Sequence, residues 1–259
     1  MTPLGRHFLY KYKLAGGKEV KKKSVFILSL LMFLGGTYMA NAMHIVEGFL
    51  SPLWCVVYFA LSAPFFILGL RDIKSKTKDN KDLKMLLALV AAYAFVLSAM
   101  KLPSVSGSSS HPTGTGLGAI LFGPYVMSVV GSIVLLFQAI FLAHGGITTL
   151  GANVFSMGIV GPMISYIIYR ALKNKNKRLA VFLAAALGDL VTYIVTSLQL
   201  GLAFPATDGG VLASFIKFIG IFAITQVPLA VIEGILTVGI FEFIEKHSNE
   251  ELISLGGVK

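Results

Sequence analysis

The sequence is poor in charged residues. Only 13% of its 259 residues are Asp, Glu, Lys or Arg, whereas 56% are apolar. A soluble domain of this length carries about twice that charged fraction. The shortage excludes a largely solvated surface, and long apolar stretches recur along the chain, so the apolar surface is expected to face lipid. The composition therefore predicts an all-α, polytopic integral membrane protein.

Cysteine is nearly absent, since Cys55 is the only one. A single cysteine excludes an intramolecular disulfide and any metal site built from several thiolates. Cys55 adjoins Trp54 in an apolar run, and we interpret it as a packing residue. The sequence also lacks a Walker motif, so ATP hydrolysis by this chain is not expected. No nucleophile–base motif or carboxylate-rich metal cluster favours a membrane enzyme.

Acidic residues are scarce as well, and the formal net charge is +10. Seven of the 22 basic residues lie within residues 1–42, and the others cluster in short loops between apolar segments. This placement is typical of membrane orientation and not of a phosphate-binding face, so a nucleic-acid partner is not expected.

The N-terminus has the three parts of a secretory signal. Lys21, Lys22 and Lys23 precede a short apolar run at 25–34, and the small-residue site Ala40-Asn41-Ala42 follows. The alternative is an uncleaved first transmembrane helix, but the apolar run is too short to span comfortably. Cleavage after Ala42 is predicted, so that residues 1–42 form a cleavable signal peptide. Residues 43–259 then form one transmembrane domain.

About seven membrane segments are predicted after residue 43. Gly123-Pro124 breaks the apolar stretch 117–143 into a short helix, a turn and a full helix. The basic loops 71–84 and 170–178 are expected to be cytoplasmic. The mature N-terminus is then outside a plasma membrane and the C-terminus is cytoplasmic. The other predicted segments are 49–70, 85–100, 154–172, 179–204 and 211–243.

Three of the five histidines, His44, His111 and His144, fall on the outer side in this topology; His7 and His247 are interpreted as solvated bystanders. Cleavage would make His44 the second residue of the mature chain. The free α-amine of Met43 and the amide nitrogen and imidazole of His44 can then chelate one ion, and the imidazole of His111 could be a fourth ligand. Tetragonal nitrogen coordination suits Ni(II) or Cu(II), and imidazole suits late first-row metals generally.

The segment around His111 is rich in hydroxyls and glycines. Such a loop can fold back into a protein cavity, where Ser110 and Thr113 could orient His111. A phosphate-binding role is disfavoured, because Gly114-Thr115-Gly116 is not followed by a lysine.

Ionisable residues also lie within the predicted helices. Asp189, Lys217 and Glu233 are functional candidates by that placement. The alternative is an Asp189–Lys217 pair that only locks helices together, with Lys217 able to snorkel. Three glutamines are predicted to form interhelical hydrogen bonds: Gln138, Gln199 and Gln226.

Three motifs resemble one family, the cobalt/nickel substrate-binding subunits of energy-coupling-factor (ECF) transporters, of the CbiM/NikM type. They begin at Met43-His44-Ile45-Val46-Glu47-Gly48, Ser110-His111-Pro112-Thr113-Gly114 and His144-Gly145-Gly146-Ile147-Thr148, the last running on to Asn153. The cobalt branch is the better match. The resemblance implies a seven-helix S-component that binds Co(II), or Ni(II), from outside and holds no resident cofactor.

The resemblance also implies residue roles and partners. Met43, His44 and His111 would bind the metal, with His144, Ser110, Thr113 and Asn153 in supporting positions. The partners would be an ECF transmembrane coupling subunit, an ATP-binding subunit and a small accessory membrane subunit, and cobalamin biosynthesis would be the purpose. Two alternatives stay open: a secondary metal carrier with Asp189 and Glu233 as a proton relay, and an ion-binding receptor without transport.

Overall fold

The computed structural model describes residues 44–78, 80–104 and 109–255. Six helices in this part of the chain are long and apolar enough to cross a membrane, which confirms the all-α, polytopic prediction. Met43 and the predicted signal peptide, residues 1–42, lie outside the described residues. The elements in chain order are α1 (Pro52–Thr77), α2 (Lys81–Ala99), β1 (Leu102–Pro103), β2 (Ser109–Ser110), α3 (Thr115–Phe122), α4 (Pro124–Phe141), α5 (Leu150–Leu172), α6 (Lys177–Ala203), α7 (Gly210–His247) and α8 (Asn249–Ser254).

The predicted break at Gly123-Pro124 is confirmed. Gly123 has φ +90°, in the region that favours glycine, and Pro124 begins α4, where its missing N–H costs nothing. The short helix before the break, α3, has eight residues and is about 12 Å long. It is therefore too short to cross a bilayer, and the described residues contain six spanning helices plus this buried helix.

The predicted loop 71–84 is wrong in extent. Helix α1 continues to Thr77, and α2 begins at Lys81 after Asn80, whose side chain accepts a hydrogen bond from the Leu83 amide (3.0 Å). The lysines of this region mark the end of the apolar run rather than the end of the helix, because long basic side chains extend from helix ends into the headgroup layer. Helices α5 and α7 likewise exceed their predicted segments, 154–172 and 211–243.

Helices α4, α5 and α6 form the interior, and about half or more of each apolar window is buried. The windows of α1, α2 and α7 are mostly exposed to the surroundings, as lipid-facing helices are. The first turn of α6 and the last turns of α7 lie at one end, joined by the ion pair Lys177–Glu245 (2.6 Å). The start of α1 and the ends of α2 and α4 lie at the other end, which carries the histidines.

The position of α3 places the loop before it within the membrane depth. The carbonyl oxygen of Phe122, at the end of α3, accepts a hydrogen bond from Lys76 Nζ (2.6 Å) in the last turn of α1. Because α3 is only about 12 Å long, it begins well short of the opposite face of a core that is about 30 Å thick. Residues 109–114 are non-helical and fully buried. Non-helical backbone at this depth is tolerated only inside protein.

Helices α4 and α5 approach closely where two glycines meet. A Cβ atom on Gly131 would lie 2.8 Å from the Cα atom of Gly158. Gly158 belongs to a π-helical segment of α5, Val154–Val160. A wide turn of this kind commonly marks a functional region. The close approach fixes α5 against α4 and thereby fixes the loop that joins them, which carries His144.

Gly131→Ala is expected to destabilise the fold by about 1–3 kcal/mol, because the new methyl group would overlap backbone that cannot turn aside. Thermal unfolding of the purified chain in detergent would measure the effect. Gly220→Ala in α7 is the matched control, since a Cβ there meets nothing within 4 Å. Equal unfolding temperatures for the two variants would show that the glycine contact is not needed.

Candidate metal centre

Three histidines from separate segments meet at one end of the helix bundle. The ring centroids of His44, His111 and His144 lie 4.4 to 4.9 Å apart, and one nitrogen from each ring can be chosen so that all lie within 4.8 Å of one another. All three side chains are buried, with at most 4% of their surface exposed. Three buried imidazoles without a carboxylate among them form a nitrogen-rich site of the type that late first-row metals prefer.

A hydrogen-bond chain fixes the tautomer of His44. Gln138 Nε2 donates to Ser98 Oγ (2.6 Å), and Ser98 Oγ donates to the Ala94 carbonyl (2.5 Å). The Gln138 amide therefore turns its oxygen Oε1 toward His44 Nε2, 3.1 Å away. An amide oxygen only accepts, so Nε2 carries the proton and Nδ1 keeps its lone pair for a metal.

The loop backbone fixes the tautomer of His111 in the opposite sense. His111 Nδ1 donates to the Pro112 carbonyl (2.9 Å), which leaves the lone pair on Nε2. That Nε2 atom is buried and has no hydrogen-bond partner among the described residues, and the same holds for both ring nitrogens of His144. Buried polar atoms are rarely left unpaired in native proteins. The unpaired nitrogens of His111 and His144 point to a ligand that the three rings share.

Burial keeps the three imidazoles uncharged. Burial lowers the pKa of His44 well below its usual value, and the charge that His111 would carry lowers it further. Burial also lowers the pKa of His111, to about 4, and lowers the pKa of His144 further, with His44 and His111 adding to the effect. The neutral ring is the form that binds metal. All three rings are therefore available as ligands at neutral pH.

Side chains of α6 and α7 hold the loop that carries His111. Glu233 accepts hydrogen bonds from the backbone amides of Thr113 (2.6 Å) and Gly114 (2.9 Å) and from the Thr113 hydroxyl (3.1 Å). Tyr193 Oη donates to the His111 carbonyl (2.8 Å), and Gln226 Nε2 donates to the same oxygen (3.2 Å). The non-helical backbone thus finds its partners inside the protein, as membrane depth requires.

The segment that carries His44 is held by the start of α5. Asn153 Oδ1 accepts from the Ile45 amide (2.9 Å), while Asn153 Nδ2 and the Thr149 hydroxyl donate to the Ile45 carbonyl (3.0 and 2.6 Å). Glu47 accepts from the amide (3.1 Å) and hydroxyl (2.5 Å) of Thr148. These bonds fix the backbone directly after His44, so the direction of its imidazole is set before any ion arrives.

Comparison with known proteins identifies the group to which the chain is related. The family described as cobalt uptake substrate-specific transmembrane region matches residues 44–251. The chain belongs to this family.

Relatives and solved structures agree with the family. A cobalt transport protein CbiM of Clostridium tetani is 63% identical over 240 residues, covering 93% of this chain and all of that protein. CbiM of Thermosipho melanesiensis is 58% identical over 88% of this chain and 96% of its own length. A crystal structure of a transition metal transporter is similar with a TM-score of 0.69 and 26% identity, covering 83% of this chain and 98% of that one. The cobalt-uptake fold is thus shared over nearly the whole described chain.

The structure brings some of the predicted residues together and separates others. His144 lies as close to His44 and His111 as they lie to each other, so it is part of the cluster rather than behind it. Ser110 Oγ, a predicted support of His111, is hydrogen-bonded to Thr225 Oγ1 (2.7 Å). Thr113 and Asn153 hold backbone, as described above.

The Asp189–Lys217 pair, given above as the alternative to a functional role, is not formed. Lys217 is exposed, whereas Asp189 is buried and accepts a hydrogen bond from Gln226 (2.5 Å). A lysine near the start of α7 reaches water more readily than it enters the helix bundle. The interhelical hydrogen bonds predicted for the three glutamines are present. Sequence reasoning missed that Gln138 also contacts His44, because nothing in the sequence relates residues 94 positions apart.

Gln138→Ala is expected to weaken Co(II) binding by about 10–100-fold, because the tautomer and ring orientation of His44 would no longer be fixed. Titration of the purified, processed chain with Co(II) would measure the affinity. Gln199→Ala is the matched control, because Gln199 is equally buried in a spanning helix and donates to the Ala152 carbonyl rather than to a histidine. An affinity lowered equally in both variants would contradict a specific role of Gln138.

Proposed function

We propose that this chain is the substrate-specific membrane subunit of an ATP-driven importer that captures Co(II) from outside the cell. The observation that carries the proposal is the cluster of three buried, neutral imidazoles, in which one nitrogen from each ring lies within 4.8 Å of the others. Family membership and relatives named as cobalt transport proteins support the choice of ion. The ion is cargo, and no resident cofactor is needed.

The proposed ligands are the Met43 amine, the amide nitrogen and Nδ1 of His44, and Nε2 of His111. Cleavage after Ala42 would create the amine. The fixed tautomer of His44 supports this set, because a terminal chelate closes its six-membered ring through Nδ1, the nitrogen that Gln138 leaves free. His144 then approaches the same ion as a further ligand or as the group that holds it during entry.

Nickel is the second candidate cargo. The proposed donors are all nitrogen, and such sites bind Ni(II) more tightly than Co(II) in general. Discrimination in favour of Co(II) would have to come from geometry, and the third imidazole offers it. His144 would add a fifth nitrogen donor, which suits an ion that accepts more than four ligands better than a strictly square-planar one.

We also propose the transport arrangement. The histidine end faces outward, and the end with the Lys177–Glu245 pair faces the cytoplasm, with the N-terminus outside and the C-terminus inside. A transmembrane coupling subunit, an ATP-binding subunit and a small accessory membrane subunit would complete the importer, which would supply cobalamin biosynthesis. The lack of a Walker motif in this chain supports a separate ATP-binding subunit.

The terminal-amine ligand predicts a particular pH profile. Binding to the processed chain should weaken as the pH falls from about 8 to 6, because the α-amine, with an ordinary pKa of about 7.7–8.0, must lose its proton to bind. The imidazoles do not contribute over this range: the pKa of His111 is about 4, and burial lowers the pKa of His44 and His144 as well, so protons compete for the rings only in more acid solution. Co(II) titrations at several pH values would give the profile.

The matched variant is the processed chain with its α-amine acetylated, which removes the proposed amine ligand and keeps His44 in the second position. Its affinity at pH 8 should fall by at least about tenfold, the scale of losing even a supporting partner. Its remaining affinity should be flat between pH 6 and 8. An acetylated chain with the affinity and pH profile of the processed chain would exclude the amine as a ligand and leave a site of three imidazoles.

Uptake measured in cells separates the importer from a secondary carrier. Radioactive Co(II) accumulation should require both this chain and an active ATP-binding subunit, and replacing the Walker lysine of that subunit should abolish it. His111→Ala in this chain should abolish it as well. Accumulation that survives loss of ATP hydrolysis but stops when the proton gradient is collapsed would favour the secondary carrier, with Asp189 and Glu233 as its relay.

A further inference from the structure

Two carboxyl groups face each other beneath the histidine cluster. Asp189 of α6 and Glu233 of α7 are 1% and 0% exposed, and their carboxyl groups lie within hydrogen-bond reach of each other. Among the residues that the structure describes, the buried set contains no lysine or arginine. Two adjacent carboxylates are unfavourable in a low-dielectric interior unless something neutralises them. A bound cation or a shared proton would do so.

The oxygen atoms of this group differ in how many hydrogen bonds they accept. Both oxygens of Glu233 accept hydrogen bonds from the loop at Thr113 and Gly114. Asp189 Oδ2 accepts a hydrogen bond from Gln226 Nε2 (2.5 Å). Within the part of the chain that the structure describes, Asp189 Oδ1 and Gln226 Oε1 are buried and have no hydrogen-bond partner. These two oxygens, beside a second carboxyl group, are acceptors that a positive ion would satisfy.

We propose that Asp189, Gln226 and Glu233 form a second divalent cation site, separate from the histidine cluster and built from oxygen donors. The charge agrees, because two carboxylates neutralise one divalent ion. The donor type agrees too, because carboxylate and amide oxygens suit ions such as Mn(II), Mg(II) or Ca(II) better than imidazoles do. The site does not rest on the histidine ligand set or on the identity of the cargo.

One amide group joins the two sites. Gln226 Nε2 donates both to Asp189 Oδ2 (2.5 Å) and to the His111 carbonyl (3.2 Å). Glu233 holds Thr113 and Gly114, the residues that follow His111 and Pro112. An ion at the oxygen site would therefore be bound by the same side chains that hold the His111 loop. Occupancy of one site is expected to change the affinity of the other, and the change is reciprocal.

Mn(II) is the probe of choice, because it favours oxygen donors and binds nitrogen sites weakly. The purified, processed chain, carrying no histidine tag, would be titrated with Mn(II), and free Mn(II) would be measured by electron paramagnetic resonance. We expect one Mn(II) per chain and at least about tenfold weaker binding in Asp189→Asn. Asp208→Asn, which alters an exposed carboxylate in the turn before α7, is the matched control and should bind as the unaltered chain does.

Two further measurements make the result decisive. Co(II) binding by Asp189→Asn would show that the variant is folded, and Gln226→Met, which removes the amide oxygen, should weaken Mn(II) binding as well. His44→Ala should lose tight Co(II) binding and keep Mn(II) binding, which separates this site from the proposed histidine site. An unaltered chain that binds no Mn(II), or an Asp189→Asn variant that binds it equally well, would overturn the proposal and leave a shared proton between the carboxyls.

Discussion

The structure depends on satisfying non-helical backbone at membrane depth. Residues 109–114 carry His111 into the bundle as extended chain, and each backbone polar group left unpaired there would cost several kcal/mol. Glu233, Tyr193 and Gln226 supply the partners from α6 and α7. The short helix α3 follows from the same constraint, because a loop that has already descended leaves only about 12 Å to cover. The position of His111 therefore depends on the depth of its loop, and that depth depends on the packing of α3, α6 and α7.

Burial of the three histidines affects their protonation as well as their packing. Removing an imidazole from water disfavours its charged form, which for a metal ligand means that protons compete less. The hydrogen bonds to Gln138 and to the Pro112 carbonyl then decide which nitrogen keeps the lone pair. A site that is both neutral and fixed in tautomer loses little freedom when an ion enters. Its selectivity must come from the relative placement of the three rings.

The sequence was informative where the physics is local. Hydropathy located the spanning helices, and Gly123-Pro124 located the break before α4, because lipid length and proline stereochemistry act on neighbouring residues. Helix ends were misjudged at 71–84, since basic side chains extend from a helix as readily as from a loop. Three features could not be predicted from the sequence. His144 lies as close to the other two histidines as they lie to each other, Gln138 contacts His44, and Asp189 does not pair with Lys217. Each depends on which faces of distant helices meet.

The polar interior carries a further consequence for transport. Among the residues described, Asp189 of α6 and Glu233 of α7 are the only buried acidic side chains, and no lysine or arginine is buried beside them. A cation that moves from the cluster into the core approaches these carboxyl groups, and the side chains around them already hold the His111 loop. Movement of a cation and movement of the loop would therefore be linked through Gln226 and Glu233. A rearrangement of α6 against α7 would break these hydrogen bonds and free the loop that carries His111.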